Sequence, residues 1–268
     1  MPGSILERLN VHVVGQGSTV VVLGHGFGTD QTVWRHQLPV LTPQYQVVLF
    51  DHLGCGNADL DEYSPARYPT LEQYAHDLIA LHDALQLHWT AFIGHSAGAM
   101  IGLIASLVRP GLFDLLVMIG ASPRYLDDGD YVGGFGRVDL DAVYQAMSSD
   151  YLGWANGFAP LAMANAERPS LGKEFATSLG AMRPDIAQSV ARTIFESDLR
   201  SRLGSVEVPT LILQSRRDIA VPMAVGEYLA RHIPRSRLVL LDAEGHLPHL
   251  SAPQQINAVL LRALADAV

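Results

Sequence analysis

Ser96 stands in Gly94-His95-Ser96-Ala97-Gly98, a G-x-S-x-G spacing set between an apolar run and a run of small apolar residues. Thr90-Ala91-Phe92-Ile93 reads as a buried strand, and Ala99 to Val108 (AMIGLIASLV) reads as a helix. In that strand–turn–helix setting the spacing describes a nucleophile elbow, where a sharp turn lifts a serine hydroxyl above the end of a sheet. Gly94 and Gly98 then serve a steric purpose, letting strand and helix pass closely, while Ser96 itself takes strained backbone angles. A plain turn serine is the competing reading, and the flanking strand and helix weigh against it.

A serine hydroxyl is a poor nucleophile until a base removes its proton, so the elbow calls for a histidine and an orienting acid further along. Pro209 to Gln214 (PTLILQ) reads as a strand, followed by the loop Ser215-Arg216-Arg217-Asp218, which makes Asp218 the candidate acid. Leu238 to Leu241 reads as the last strand and leads into Asp242-Ala243-Glu244-Gly245-His246-Leu247-Pro248-His249, where His246 is the candidate base. The chain order Ser, Asp, His differs from the two common protease orders. His249 competes with His246, and Asp242 competes with Asp218. His246 is preferred because Gly245 frees the backbone before it and Pro248 suits the first turn of a following helix. Of the eleven histidines, His12, His36, His52, His76, His82, His88 and His232 read as surface or satisfied polar residues.

Acyl transfer also needs preplaced donors for the charge on the tetrahedral intermediate. Thr19 to Leu23 (TVVVL) reads as a strand running into Gly24-His25-Gly26-Phe27-Gly28. The backbone N–H of Phe27, with that of Ala97 after the nucleophile, would form this oxyanion hole. The glycine-rich loop lacks the G-x-G-x-x-G spacing and the lysine of a phosphate cradle.

The chain resembles the small α/β-hydrolase family that contains the bacterial stress-response regulator RsbQ and the plant karrikin and strigolactone receptors. The stretches that carry the likeness are GHGFGTDQTVW from Gly24, GHSAGAMIG from Gly94, ASPRYLDDGDYVGGF from Ala121, GFAPLA from Gly157, MRPDIAQSVARTIFESD from Met182 and GHLPHLS from Gly245. The likeness departs from the plant receptors at Ala97-Gly98, which follow the elbow of ordinary hydrolases and favour a bacterial enzyme. It implies an α/β-hydrolase fold with a mostly parallel central sheet flanked by helices, residues 1–123 and 207–268 forming the core and 124–206 a helical lid. Leu140 to Ser148, Tyr151 to Ala164, Leu171 to Met182 and Pro184 to Ser197 read as the four lid helices. His25, His95, Phe135, Phe158, Phe175 and Phe195 are then expected to contact substrate, with Phe27 beside them. The alternative for the rings is packing of lid against core. A narrow aromatic pocket would take small apolar esters or lactones, bound largely by burial. The family also implies a second class of role, ligand sensing with slow hydrolysis and a regulatory protein partner.

Two opening strands, roughly 10–15 and 18–23, read as a hairpin, and five further strands follow near 46–51, 90–94, 115–120, 209–214 and 237–242, with helices between them. That alternation places catalytic loops at strand C-termini. At 268 residues and 49% hydrophobic, the chain can bury one large core plus an insertion. A net charge of -9 argues against nucleic acid and anionic membranes as partners. The single cysteine, Cys55, excludes an internal disulfide and suits a reducing compartment. Met1 to Val11 lacks an apolar signal core, so a cytoplasmic location is expected. The reading requires no cofactor and no metal.

Overall fold

The computed structural model describes residues 3–267. Its strands are β1 (His12–Val14), β2 (Val20–Gly24), β3 (Gln46–Leu49), β4 (Thr90–His95), β5 (Leu115–Ile119), β6 (Thr210–Arg217) and β7 (Ser236–Glu244). They form one sheet in the order β1-β3-β2-β4-β5-β6-β7, with β1 antiparallel to β3 and every other pair parallel. The mostly parallel sheet expected from the sequence is therefore present. The opening hairpin is not: β1 pairs with β3, His12 opposite Leu49, and β2 lies on the far side of β3. The intervening loop passes against residues 42–45, where a Cβ at Gly17 would stand 2.1 Å from the Gln44 carbonyl oxygen, so the chain crosses instead of folding straight back.

Central strands β2, β4 and β5 are buried along their whole length, as their Val, Leu, Ile and Phe runs require of a sheet covered on both faces. Helices α1 (Ile5–Arg8), α2 (Leu38–Leu41), α3 (Leu71–Ala84), α4 (Ala97–Val108), α9 (Met223–His232), α10 (Pro248–Ser251) and α11 (Pro253–Ala267) accompany the strands. Of these, α4 is buried from Ala97 to Ser106 and owes its close approach to small residues. A Cβ at Gly102 would meet the Phe92 ring at 2.4 Å, and one at Gly94 would meet the Ala99 Cα at 2.5 Å. The strand order reverses between β2 and β4, so the loops leaving these two strands face each other across a crevice at the C-terminal edge.

Between β5 and β6 the chain forms α5 (Arg137–Ser149), α6 (Tyr151–Met163), α7 (Pro169–Gly180) and α8 (Pro184–Phe195). Pro169 and Pro184 occupy first helical positions, where a missing N–H is harmless. In α8 the buried residues Ile186, Ala187, Val190, Ala191, Ile194 and Phe195 recur at helical spacing and turn one face inward. The chain leaves and re-enters the core at paired positions. Arg124 and Asp198 form an isolated antiparallel bridge, with Arg124 Nη1 2.9 Å from Asp198, and Arg200 bonds both Asp198 (2.7 Å) and Asp128 (2.6 Å). Among the described residues no helix is long and apolar enough to cross a membrane.

Candidate active site

Ser96 joins β4 to α4 with φ 53° and ψ -121°, a conformation that L residues rarely adopt. The turn is enforced from both sides: a Cβ at Gly98 would stand 2.4 Å from the His25 carbonyl oxygen, and Gly94 is blocked as described above. The hydroxyl reaches His246, whose Nε2 lies 2.9 Å from Ser96 Oγ and accepts its proton. On the other side of the ring, His246 Nδ1–H donates to Asp218 Oδ2 at 2.7 Å. Asp218 is itself oriented by the N–H groups of Ala220 (2.8 Å) and Val221 (3.1 Å), which hold its other oxygen. Its carboxylate is 1% exposed and the His246 side chain 10%, so the pair is shielded from bulk water while the imidazole keeps an open edge. Three residues spread over 150 positions of the chain thus form a continuous Asp–His–Ser contact.

The loop expected to form the oxyanion hole lies against Ser96. A Cβ at Gly26 would sit 2.6 Å from His95 Nδ1 and 3.1 Å from Ser96 Cβ, so Phe27 follows directly on backbone in contact with the serine. Ala97 is the first residue of α4, and its N–H has no carbonyl one turn earlier to bond. We expect Gly26→Ala to push this loop off the serine and lower turnover by about a hundredfold, the usual scale for loss of an oxyanion donor. Ester hydrolysis by a folded Gly26→Ala protein checks this, and unchanged turnover would remove the loop from the site.

His25 and His95, expected to touch substrate, are instead buried and bonded to backbone. His25 is fully buried, with Nδ1–H donating to the Gly26 carbonyl at 2.9 Å and Nε2 accepting the His52 N–H at 2.9 Å, so both nitrogens brace the oxyanion loop. His95 is 1% exposed, and its Nε2–H donates to the His246 carbonyl at 2.8 Å. Side chains alternate along β4, and His95, one position before the elbow, points into the protein beneath the base. Burial holds both imidazoles neutral, lowering their pKa values, with nearby His249 and His246 adding to the effect at His95. His249 is also fully buried, packed between Trp34 (4.8 Å) and His95 (4.5 Å), and burial pushes its pKa down to about 3. It makes no hydrogen bond to Ser96, which leaves His246 as the histidine at the nucleophile.

The phenylalanines divide. Phe195 and Phe135 pack 5.7 Å apart and both against Tyr125, at 5.1 and 6.5 Å, forming an aromatic group next to Ser96. Phe158 is half-buried and stacked on Trp154 at 5.3 Å on α6, and Phe27 is half-buried in the oxyanion loop. Phe175 belongs elsewhere: it lies behind Gly28 and lines a groove of about 460 Å³ between α7 and the loops at 29–35 and 54–57, which includes none of Ser96, Asp218 and His246. Tyr125, within the stretch ASPRYLDDGDYVGGF, is a site residue to which the sequence assigns no role. Its hydroxyl is 3.3 Å from Ser96 Oγ, and burial pushes its pKa up to about 12, so it stays protonated and donates toward the serine oxygen. Its place in the loop after β5, at the same sheet edge as the other site loops, was the available signal. Among the described residues no group of three His, Cys, Asp or Glu side chains is arranged to hold a metal ion.

Residues 19–253 match the model of the alpha/beta hydrolase fold family. The chain is 49% identical over 261 residues to the karrikin insensitive 2 receptor CA of Petunia hybrida, covering 97% of each chain. It is 48% identical over 262 residues to a strigolactone esterase of Arabidopsis thaliana, covering 97% of this chain and 98% of that one. Among solved structures, a hydrolase from Oleispira antarctica superposes with a TM-score of 0.95 at 38% identity, over 97% of this chain and 96% of that one.

Proposed function

The chain belongs to the α/β-hydrolase fold family, and from that membership we propose that it is a serine hydrolase of small carboxylic esters or lactones. The observation that carries the reading is the unbroken contact from Asp218 through His246 to Ser96 Oγ, at 2.7 and 2.9 Å. Ser96 attacks the carbonyl carbon while His246 Nε2 takes its proton. Asp218 keeps the imidazole in the tautomer with Nδ1 protonated and stabilises the imidazolium that forms. The Phe27 and Ala97 amides receive the developing oxyanion, and His246 returns the proton to the leaving alcohol or ring oxygen. Water then repeats the sequence on the acyl-enzyme. Tyr125 donates to Oγ in the resting enzyme and loses that partner as the ester bond forms.

In this reading residues 124–206 act as a lid over a core of 1–123 and 207–268, and Phe135, Phe158 and Phe195 with Phe27 bound a small apolar acyl site. No cofactor is needed, and the protein works in the cytoplasm. Turnover of p-nitrophenyl esters of increasing acyl length tests the assignment: acetate and butyrate are expected to be the best substrates. Phe158→Ala, which removes a half-buried ring, is expected to move the preference by two or more carbons, at about 0.8 kcal/mol per additional buried CH2. An unchanged length profile in a folded variant would assign the ring to packing.

A second reading is favoured by similarity to a karrikin insensitive 2 receptor and a strigolactone esterase over nearly the full length. Here the same hydrolysis is slow and serves a signal to a regulatory protein partner. Turnover on the order of one per minute, with local destabilisation of residues 124–206 on ligand addition, would favour it. Fast turnover favours the metabolic enzyme.

A further inference from the structure

The loop that carries His246 is held on two sides through its own backbone. Its carbonyl accepts from His95 on the nucleophile side, while its N–H donates at 2.7 Å to the carbonyl of Ala162, in the last turn of α6. The approach of these segments is close: a Cβ at Gly245, where φ is +88°, would lie 2.1 Å from the Met163 carbonyl oxygen. So the base is suspended between the elbow and the helical insertion.

The end of α6 has an unusual shape. Ala164 has φ 53° and ψ -46°, and the Asn165 N–H returns to the Met163 carbonyl at 3.1 Å, closing a three-residue turn that is strained for any L side chain. The Asn165 side chain compensates for that strain. Its Nδ2 donates to the Met163 carbonyl at 2.6 Å and to the Glu244 carbonyl at 3.1 Å, two residues before His246. Its Oδ1 accepts from Arg168, whose guanidinium also donates to the Ser251 carbonyl at 2.7 Å. One amide thereby ties the end of α6, the end of β7 and, through Arg168, the segment after His246.

We propose that Asn165 is a positioning residue for the general base: by fastening the α6 turn to the end of β7 it fixes the Ala162 carbonyl against the His246 N–H, and with it the reach of Nε2 to Ser96. The proposal rests on the serine-hydrolase reading of the site. A misplacement of about 1 Å at a reacting group costs on the order of a hundredfold in rate, so partial loosening of one anchor is expected to cost about tenfold. The loss falls on kcat, because the acyl site is untouched.

The test is steady-state hydrolysis of p-nitrophenyl acetate by Asn165→Ala, Asn165→Asp, Ser96→Ala and, as a destabilised control, the core variant Leu260→Ala, whose side chain is fully buried in α11. Both Asn165 variants are expected to lower kcat about tenfold with KM within about twofold, while Leu260→Ala keeps its kcat. Asn165→Asp should be the more damaging, since it keeps a partner for Arg168 but turns a carboxylate on two carbonyl oxygens. A kcat within twofold of wild type in both Asn165 variants overturns the proposal. So does activity retained by Asp and lost by Ala, because the pairing with Arg168 would then be what counts. If Ser96→Ala keeps its turnover, the triad reading fails and the positioning role with it; if only the Asn165 variants keep theirs, the positioning role alone fails. Amide exchange of the wild-type protein gives an answer without any variant. The His246 N–H should exchange in step with both the last turn of α6 and the end of β7, and an α6 turn that exchanges independently of the end of β7 would overturn the coupling.

Discussion

Ser96→Ala should reduce ester hydrolysis by on the order of a thousandfold or more, equivalent to about 4 kcal/mol of transition-state stabilisation. The size follows from what a single oxygen atom does here. Oγ is in hydrogen-bond contact with both His246 Nε2 and the Tyr125 hydroxyl, so its removal leaves base and acid aligned on nothing. The amides proposed to hold the oxyanion and the rings proposed to bound the acyl group remain, and would account for whatever rate persists. Alanine at this position should fold: the side chain is smaller and the strained backbone is set by packing of Gly94, Gly98 and Gly26 against their neighbours. Comparing rates at equal folded concentration, with a thermal melt to establish that concentration, decides the matter. More than about a tenth of the wild-type rate would sink the assignment of Ser96.

Acid should unfold the protein early. His25, His52, His95 and His249 are buried and their pKa values lie below 6.5, burial being the largest cause in each and the value for His249 falling to about 3. In the unfolded chain the same rings titrate near 6.5. Above that pH both states hold them neutral and nothing is lost. Below it the unfolded state binds more protons, so stability falls with pH until the folded values are reached. Each ring that is still neutral in the folded protein contributes a slope of up to about 1.4 kcal/mol per pH unit, so the loss steepens with every ring held neutral by burial. Urea midpoints at pH 7.5 and 5.5 measure this. His249→Gln should flatten the slope by about one proton. A midpoint that does not move between those pH values would contradict the burial of neutral rings.

Local pattern carried the site further than the fold's edges. The elbow at Ser96, the loop ending in Asp218 and the Gly245-His246 pair could each be found because a strand, a turn residue and a reactive group are adjacent in sequence. The structure brings those three together. What escaped depends on neighbours far along the chain. Nothing in residues 10–23 tells that β1 passes its successor and pairs with β3, because a two-strand run with glycines between reads as a hairpin. Histidines beside a nucleophile and in an oxyanion loop read as ligands, yet the pleat and the turn aim His95 and His25 inward, toward backbone partners at positions 246, 26 and 52. The aromatic residues were legible as a class and not by location, so Phe175 fell to another groove and Tyr125 went unseen. Asn165 is the extreme case, an ordinary loop asparagine whose three partners lie at 163, 168 and 244.

The paired departure and return of the chain at Arg124 and Asp198 bears on how such a scaffold diversifies. A stretch whose ends are pinned side by side adds to the entropy of closure only logarithmically with length, about 0.6 kcal/mol per doubling. Helices α5, α7 and α8 can therefore lengthen, shrink or be exchanged for those of a relative with little penalty to the sheet beneath. On the proposed function, substrate range would drift on that segment while the reaction stays with the strand-end loops. The turn at residues 162–168 is the exception, since there the exchangeable part grips the base. Recombination between family members should accordingly succeed when the graft carries this turn and its β7 partner from the same parent.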